Sequence, residues 1–194
     1  RPQHVLEEWL IRIKEELAQA KAENPDLPIA PYAVNQICHG SNDRLMGDME
    51  ICVKHEAPII ITSLRPPEEI VTAAHSYGGL VYHDVISVRH AKKAAEQGVD
   101  GLILVCAGAG GHAGTLSPFA LVREVREFFD GTIILSGSIS SGSAVASTLA
   151  LGADLAYMGT RFIATEEANA ERGYKDMLIE SVADDIIYSS LFTG

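Results

Sequence analysis

Between residues 57 and 158 the chain alternates short apolar runs with stretches of helical periodicity, and this alternation narrows its fold more than any other feature. The runs fall at 57–62, 80–83, 102–106, 132–135 and 155–158. Each is apolar at successive positions rather than at every second one, so each must be covered on both faces. That is the signature of a parallel sheet flanked by helices. Two more runs, at 28–34 ending at Asn35 and at 186–188, bring the expected count to seven strands.

The intervening stretches read as helices. In 5–21, Val5, Leu6, Trp9, Leu10, Ile13 and Leu17 share one side. Further helices are expected at 48–55, 87–97, 118–129, 143–151 and 166–182. Pro66 and Pro67 open another, with Glu68 and Glu69 placed favourably for its dipole. Gly98 and Gly152 stand where helices end.

Glycine or polar residues follow strand after strand: Asn35, Ser63, Asp84, Gly108, Gly137 and Gly159. In a doubly wound sheet such residues converge only at one switch point. In a (β/α)8 TIM barrel they all converge on one site at the C-terminal ends of the strands. The spread over many loops favours the barrel, as a single domain over 1–194. Seven strands rather than eight predict a barrel without its first βα unit, in a chain that starts at Arg1. Two unpaired edges would then invite self-association into a homo-oligomer.

The richest loop is Gly108-Ala109-Gly110-Gly111-His112-Ala113-Gly114. Its glycines let the backbone approach a flat or anionic ligand closely, and His112 is placed for proton transfer at neutral pH. Gly137-Ser138 and Gly159-Thr160 follow the next two strands, where exposed N–H groups and hydroxyls suit a phosphate. The plainer reading of 138–141 is a helix cap. No Gly-Lys-Ser/Thr ending is present, and the glycine spacing does not fit a Rossmann fingerprint.

The net charge of −11 argues against nucleic acid or an anionic membrane as partner. Cys38, Cys52 and Cys106 are odd in number and widely spaced, and read as reduced thiols of a cytoplasmic protein. Among the remaining histidines, His83 either faces the site or packs in a second layer. His39 is placed to line the mouth, His90 reads as surface, and His4, His55 and His75 read as solvated. Trp9 reads as a packing residue.

The segments 87–91, 98–101, 109–114 and 150–162, in that order and spacing, resemble the nitronate monooxygenases, FMN-dependent (β/α)8-barrel enzymes formerly called 2-nitropropane dioxygenases. The resemblance runs from about Asn35 to Gly194. It implies an oxidoreductase that uses FMN and dioxygen to convert alkyl nitronates or nitroalkanes to carbonyl compounds and nitrite. By position it implies that His112 is the active-site histidine. It places Ala109, Gly110 and Gly111 beside the flavin, and Gly137, Ser138, Gly159 and Thr160 around the FMN phosphate. Asn35 and Asp84 fall at flavin-contact positions, and at Asp84 some relatives carry a lysine. The implied partners are a small-molecule substrate and dioxygen. Related flavin barrels reduce quinones or enoyl thioesters with NAD(P)H, and a non-catalytic ligand-binding barrel is a further alternative. A purine-nucleotide dehydrogenase barrel needs a nucleophilic cysteine near its phosphate loops, and 138–144 contains none.

Overall fold

The computed structural model describes residues 3–65, 67–112, 114–189 and 191. Pro66, expected to open a helix, and Ala113 of the glycine loop lie outside the described residues. Six strands form one sheet: β1 (Ala33–Cys38), β2 (Ile59–Leu64), β3 (Leu80–Val85), β4 (Gly101–Val105), β5 (Thr132–Ser136) and β6 (Leu155–Tyr157). All neighbours are parallel, and the spatial order is the order of the chain.

The helices are α1 (Gln3–Glu23), α2 (Leu45–Lys54), α3 (Glu68–His75), α4 (Val88–Glu96), α5 (Pro118–Arg126), α6 (Gly142–Ala150), α7 (Thr160–Ile163) and α8 (Arg172–Glu180). Crossovers of one hand that always step to the next strand put the helices on one side of the sheet. The packing shows this directly. Met49, Ile70, Ala91, Leu121 and Val125 from the helices meet Ile60, Val81, Leu102, Leu104, Ile133 and Leu135 in one core. The alternate strand positions form a separate cluster with no helical member: Tyr82, Ile103 and Ile134, flanked by Ile59, Ile61 and Val105. This helix-free face is the one a barrel turns inward. The winding is therefore of the TIM-barrel type rather than doubly wound.

A Cβ on Gly101 would stand 2.6 Å from Tyr82 Cδ1 and 2.9 Å from the Thr132 carbonyl, so the Tyr82 ring occupies the place of a β4 side chain. At the opposite end from the glycine loops, one device occurs twice. Asp100 Oδ2 accepts from Val81 N–H at 2.7 Å and lies 2.9 Å from His75 Nε2. Asp154 Oδ2 accepts from Ile133 N–H at 2.8 Å and pairs with the Arg126 guanidinium. Each carboxylate ties the start of its strand to the neighbouring strand. Ser87 and Ser141 cap α4 and α6 through the His90 and Ala144 N–H groups.

Four expectations are corrected. Among the described residues there are six strands, not seven. Residues 186–188 form no strand: Ile186 and Ile187 are 67% and 79% exposed, and after the short 3-10 turn Ala183–Asp185 the segment runs to the glycine loop instead of a sheet edge. A strand needs a partner edge, which an apolar run alone does not supply. The helix expected over 166–182 is cut to Arg172–Glu180, because Glu171 is extended (φ −58°, ψ 141°) and Lys175 Nζ holds the preceding turn through the Thr165 carbonyl. The first strand spans Ala33–Cys38 instead of 28–34, so Asn35 sits inside β1 rather than after it. No described helix is long and apolar enough to cross a membrane.

Candidate functional site

The loops after β4 and β5 are hydrogen-bonded to one another, and the loop after β6 comes close to the first. After β4, Gly114 N–H returns to the Val105 carbonyl at 3.2 Å, and Ala107 N–H to Leu116 at 2.9 Å, so the loop closes on its own strand. A Cβ on Gly114 would fall 2.3 Å from the Val105 oxygen. After β5, Ser138 N–H donates to the Gly108 carbonyl at 3.0 Å. Gly137 has φ +142° and its Cβ position is 2.7 Å from the Ala107 oxygen, so only glycine fits there. Ser138 itself takes a left-handed φ of +52°. This is a local strain of the kind that clusters at ligand sites. After β6, Thr160 Oγ1 comes within 3.6 Å of the Cβ position of Gly110.

Gly110 and Thr160, and Gly108, Gly137 and Ser138, are thus assembled from three loops, with Ala109 and Gly111 in the same turn. His112 follows them, exposed, at the rim. Gly159 immediately precedes α7 and has open space at its Cβ position. Ser141, not Ser138, caps α6, so the plainer reading of 138–141 holds for one residue of the four.

Asp84 lies on the helix-free face, registered with Ile103 at the C-terminal end of β3. Its Oδ1 is sealed from solvent and has no hydrogen-bond partner. Burial pushes the carboxyl up to about 6. Burial, and then the charge of Asp84, also raises the Tyr157 phenol at the end of β6. Asn35 is not part of this assembly. It faces the helix-free side beside Ile61 but borders a groove of Leu6, Trp9, Arg44 and Asp48 beneath α1.

His83 faces the helices. It is 3% exposed, its Nδ1 lies 2.8 Å from Thr62 Oγ1, and burial followed by the charge of His90 pushes it down to about 4. It is a packed histidine. His55 and His75, expected to be solvated, pair with Glu7 and Asp100 at 2.8 and 2.9 Å. Trp9 is 46% exposed. All three cysteines are buried thiols.

Two residues of this region escape a reading of the sequence. Tyr157 shares the face of Leu155 by strand alternation, a signal that a three-residue strand is too short to display. Tyr188 donates no motif, yet its hydroxyl accepts from Gly108 N–H at 2.6 Å across 80 residues of chain.

A coenzyme A-linked dehydrogenase of Rhodococcus jostii, acting on a hydroxy-methyl-oxo-octahydroindene carboxyl thioester by its name, is 26% identical over 179 residues, 92% of this chain and 50% of that protein. A nitronate monooxygenase of Paraburkholderia phytofirmans is 27% identical over 138 residues, 66% of this chain and 38% of its own length. FabK from Thermotoga maritima superposes with a TM-score of 0.71 at 27% identity, covering 86% of this chain and 53% of that one. The chain thus spans half or less of the length of these two curated relatives. The family model of nitronate monooxygenase matches residues 10–194. A match that continuous, on a sheet wound in this order and ending in these interlocked loops, makes the chain a member of the nitronate monooxygenase family.

Proposed function

We propose that the site binds FMN and oxidises alkyl nitronates or nitroalkanes with dioxygen to carbonyl compounds and nitrite. The observation that carries this is the convergence of three glycine-bearing loops beside His112, two of them hydrogen-bonded together, above an apolar strand face that ends in an unpartnered carboxyl oxygen. The residues fit the cofactor. Gly137, where a Cβ would strike the backbone, and Ser138 form one side of a phosphate cup, and Gly159 and Thr160 form the other. Ala109, Gly110 and Gly111 leave room for the edge of a flat ring.

Bound FMN supplies the electron transfer between substrate and dioxygen. The protein supplies position and protons. The Nδ1 or Nε2 of His112 removes the α-proton of a neutral nitroalkane, or hydrogen-bonds the oxygens of a preformed nitronate. Ile61, Tyr82, Ile103 and Ile134 keep the face under the site apolar and dry, which strengthens those interactions.

A second reading, oxidoreduction of a coenzyme A thioester, is favoured by the R. jostii relative, which aligns with 92% of this chain against 66% for the nitronate monooxygenase. One preparation tests both. Flavin absorbance with FMN as the released cofactor, and oxygen uptake with a propyl nitronate, support the first reading. NAD(P)H-linked turnover of an enoyl thioester or quinone without nitronate oxidation replaces it with a reductase, and dehydrogenation of an acyl thioester with the second reading. A preparation that takes up no flavin sinks all of them.

A further inference from the structure

Asp84 has no structural employment. A sealed polar atom is normally paired, and an unpaired one needs a reason. Its Oδ1 finds none among the residues that end the helix-free face at this level, Ser63 on β2 and Ile103 and Val105 on β4, with Ser136 on β5 and Tyr157 on β6 further across the sheet. Of these the titratable group is Tyr157, which is neutral at physiological pH and held so by its surroundings. No cation is among the causes that set the state of Asp84; burial alone does. The fold therefore holds a carboxyl against an apolar floor, beneath the loops assigned to the cofactor, with one oxygen reserved.

We propose that Asp84 is the proton-holding contact of the flavin ring, neutral when the cofactor is bound and donating its O–H to a ring acceptor. This rests on the flavin reading above. Covering the carboxyl with a ring removes its remaining water, which disfavours the anion further. A flat heteroaromatic ring with carbonyl and imine acceptors meets a neutral acid, whereas a buried carboxylate beside a ring that gains negative charge on reduction is repelled. Because the free carboxyl already titrates near 6, a modest further shift keeps it protonated at neutral pH. Cofactor binding then takes up one proton at Asp84.

The test measures FMN affinity from pH 5.5 to 8.5 in the wild-type protein and in Asp84→Asn. The phosphate of FMN also titrates near 6, so the variant serves as the reference. The expected result is a wild-type Kd that rises with pH relative to the variant, by up to tenfold per unit above 6. In parallel, 13C-carboxyl NMR of the flavin-free wild-type protein should show Asp84 titrating near 6 and moving upward when FMN is added. Parallel affinity profiles, or a wild-type Kd that falls with pH relative to the variant, would overturn the proposal while leaving flavin binding intact. A midpoint near the ordinary aspartate value of about 3.9 would overturn it without reference to flavin. Failure of the wild-type protein to bind FMN at any pH would remove both this role and the proposed function.

Discussion

Replacing Gly137 with alanine isolates the backbone's share in the site. At φ +142° an L-residue is strained by about 1–3 kcal/mol. The new methyl would also meet the Ala107 carbonyl at 2.7 Å and the Cys106 Cβ at 3.4 Å. Ala107 cannot retreat freely, because its N–H is bound to the Leu116 carbonyl, and Cys106 N–H is bound to Ser136. Overpacking of this kind adds about 1–3 kcal/mol. Partial relaxation of the loop puts the sum near 2–4 kcal/mol, or a fall of about 4–16 °C in Tm for a chain of this size. Gly159→Ala is the control. Its backbone is at φ −121° and nothing lies within 4 Å of the added methyl, so its stability should change by less than about 1 kcal/mol. Both variants are read by thermal melting followed by circular dichroism, with FMN affinity measured alongside. Equal melting temperatures for Gly137→Ala and the parent would refute the claim that the loops after β4 and β5 are sterically interlocked.

Three further outcomes are expected. His112→Asn should retain FMN but lose about 10²-fold or more in turnover of a neutral nitroalkane, the scale of a lost general base, with a smaller loss on a preformed nitronate; equal losses in steady-state oxygen uptake would assign it to orientation instead. His83, held down to about 4 by burial, binds fewer protons folded than unfolded, so its contribution is present above about 6.5 and lost as pH falls towards 4; the total is about 3 kcal/mol, and His83→Gln should flatten the urea midpoint between pH 6.5 and 4. The Asp154 carboxyl is held below its ordinary value by the Ile133 N–H and then by Arg126, so its stabilisation is present above the ordinary carboxylate value and fades as pH falls through the lowered one. The parent should therefore lose more stability than Asp154→Asn between pH 5 and 3 in urea titrations, and identical acid profiles would show the tie to be without effect.

The sheet was legible wherever an apolar run had neighbours to explain it. The runs around Ile60, Val81, Leu104 and Ile134 became strands because helices cover one face and the barrel floor the other. Ile186-Ile187-Tyr188 has the same composition but leaves the outer edge of β6 unpaired and is tied to the glycine loop through the Tyr188 hydroxyl, a difference that local sequence does not contain. Asn35 was displaced because proline and β-branched residues before it read as strand, while the hydrogen-bonding partners of β1 begin only at Ala33. The glycine loops were legible because glycine at such positions is itself a statement about the backbone. The state of Asp84 was not, since it depends on which face the residue takes and on what the other strands of that face fail to offer. His83, one residue earlier, takes the other face and meets Thr62, so adjacent residues of one strand acquire opposite protonation preferences.

The order of the sheet has a consequence for synthesis. Each strand pairs with the one made just before it, so a nascent chain can lay down β1 to β6 in the sequence in which they leave the ribosome. Gly108 is the exception, because its N–H waits for a hydroxyl translated 80 residues later. At about 5–20 residues per second, the glycine loop spends several seconds beside a finished strand β4 without its last tether. The part of the molecule assigned to chemistry is thus the last to set, on a scaffold already in place.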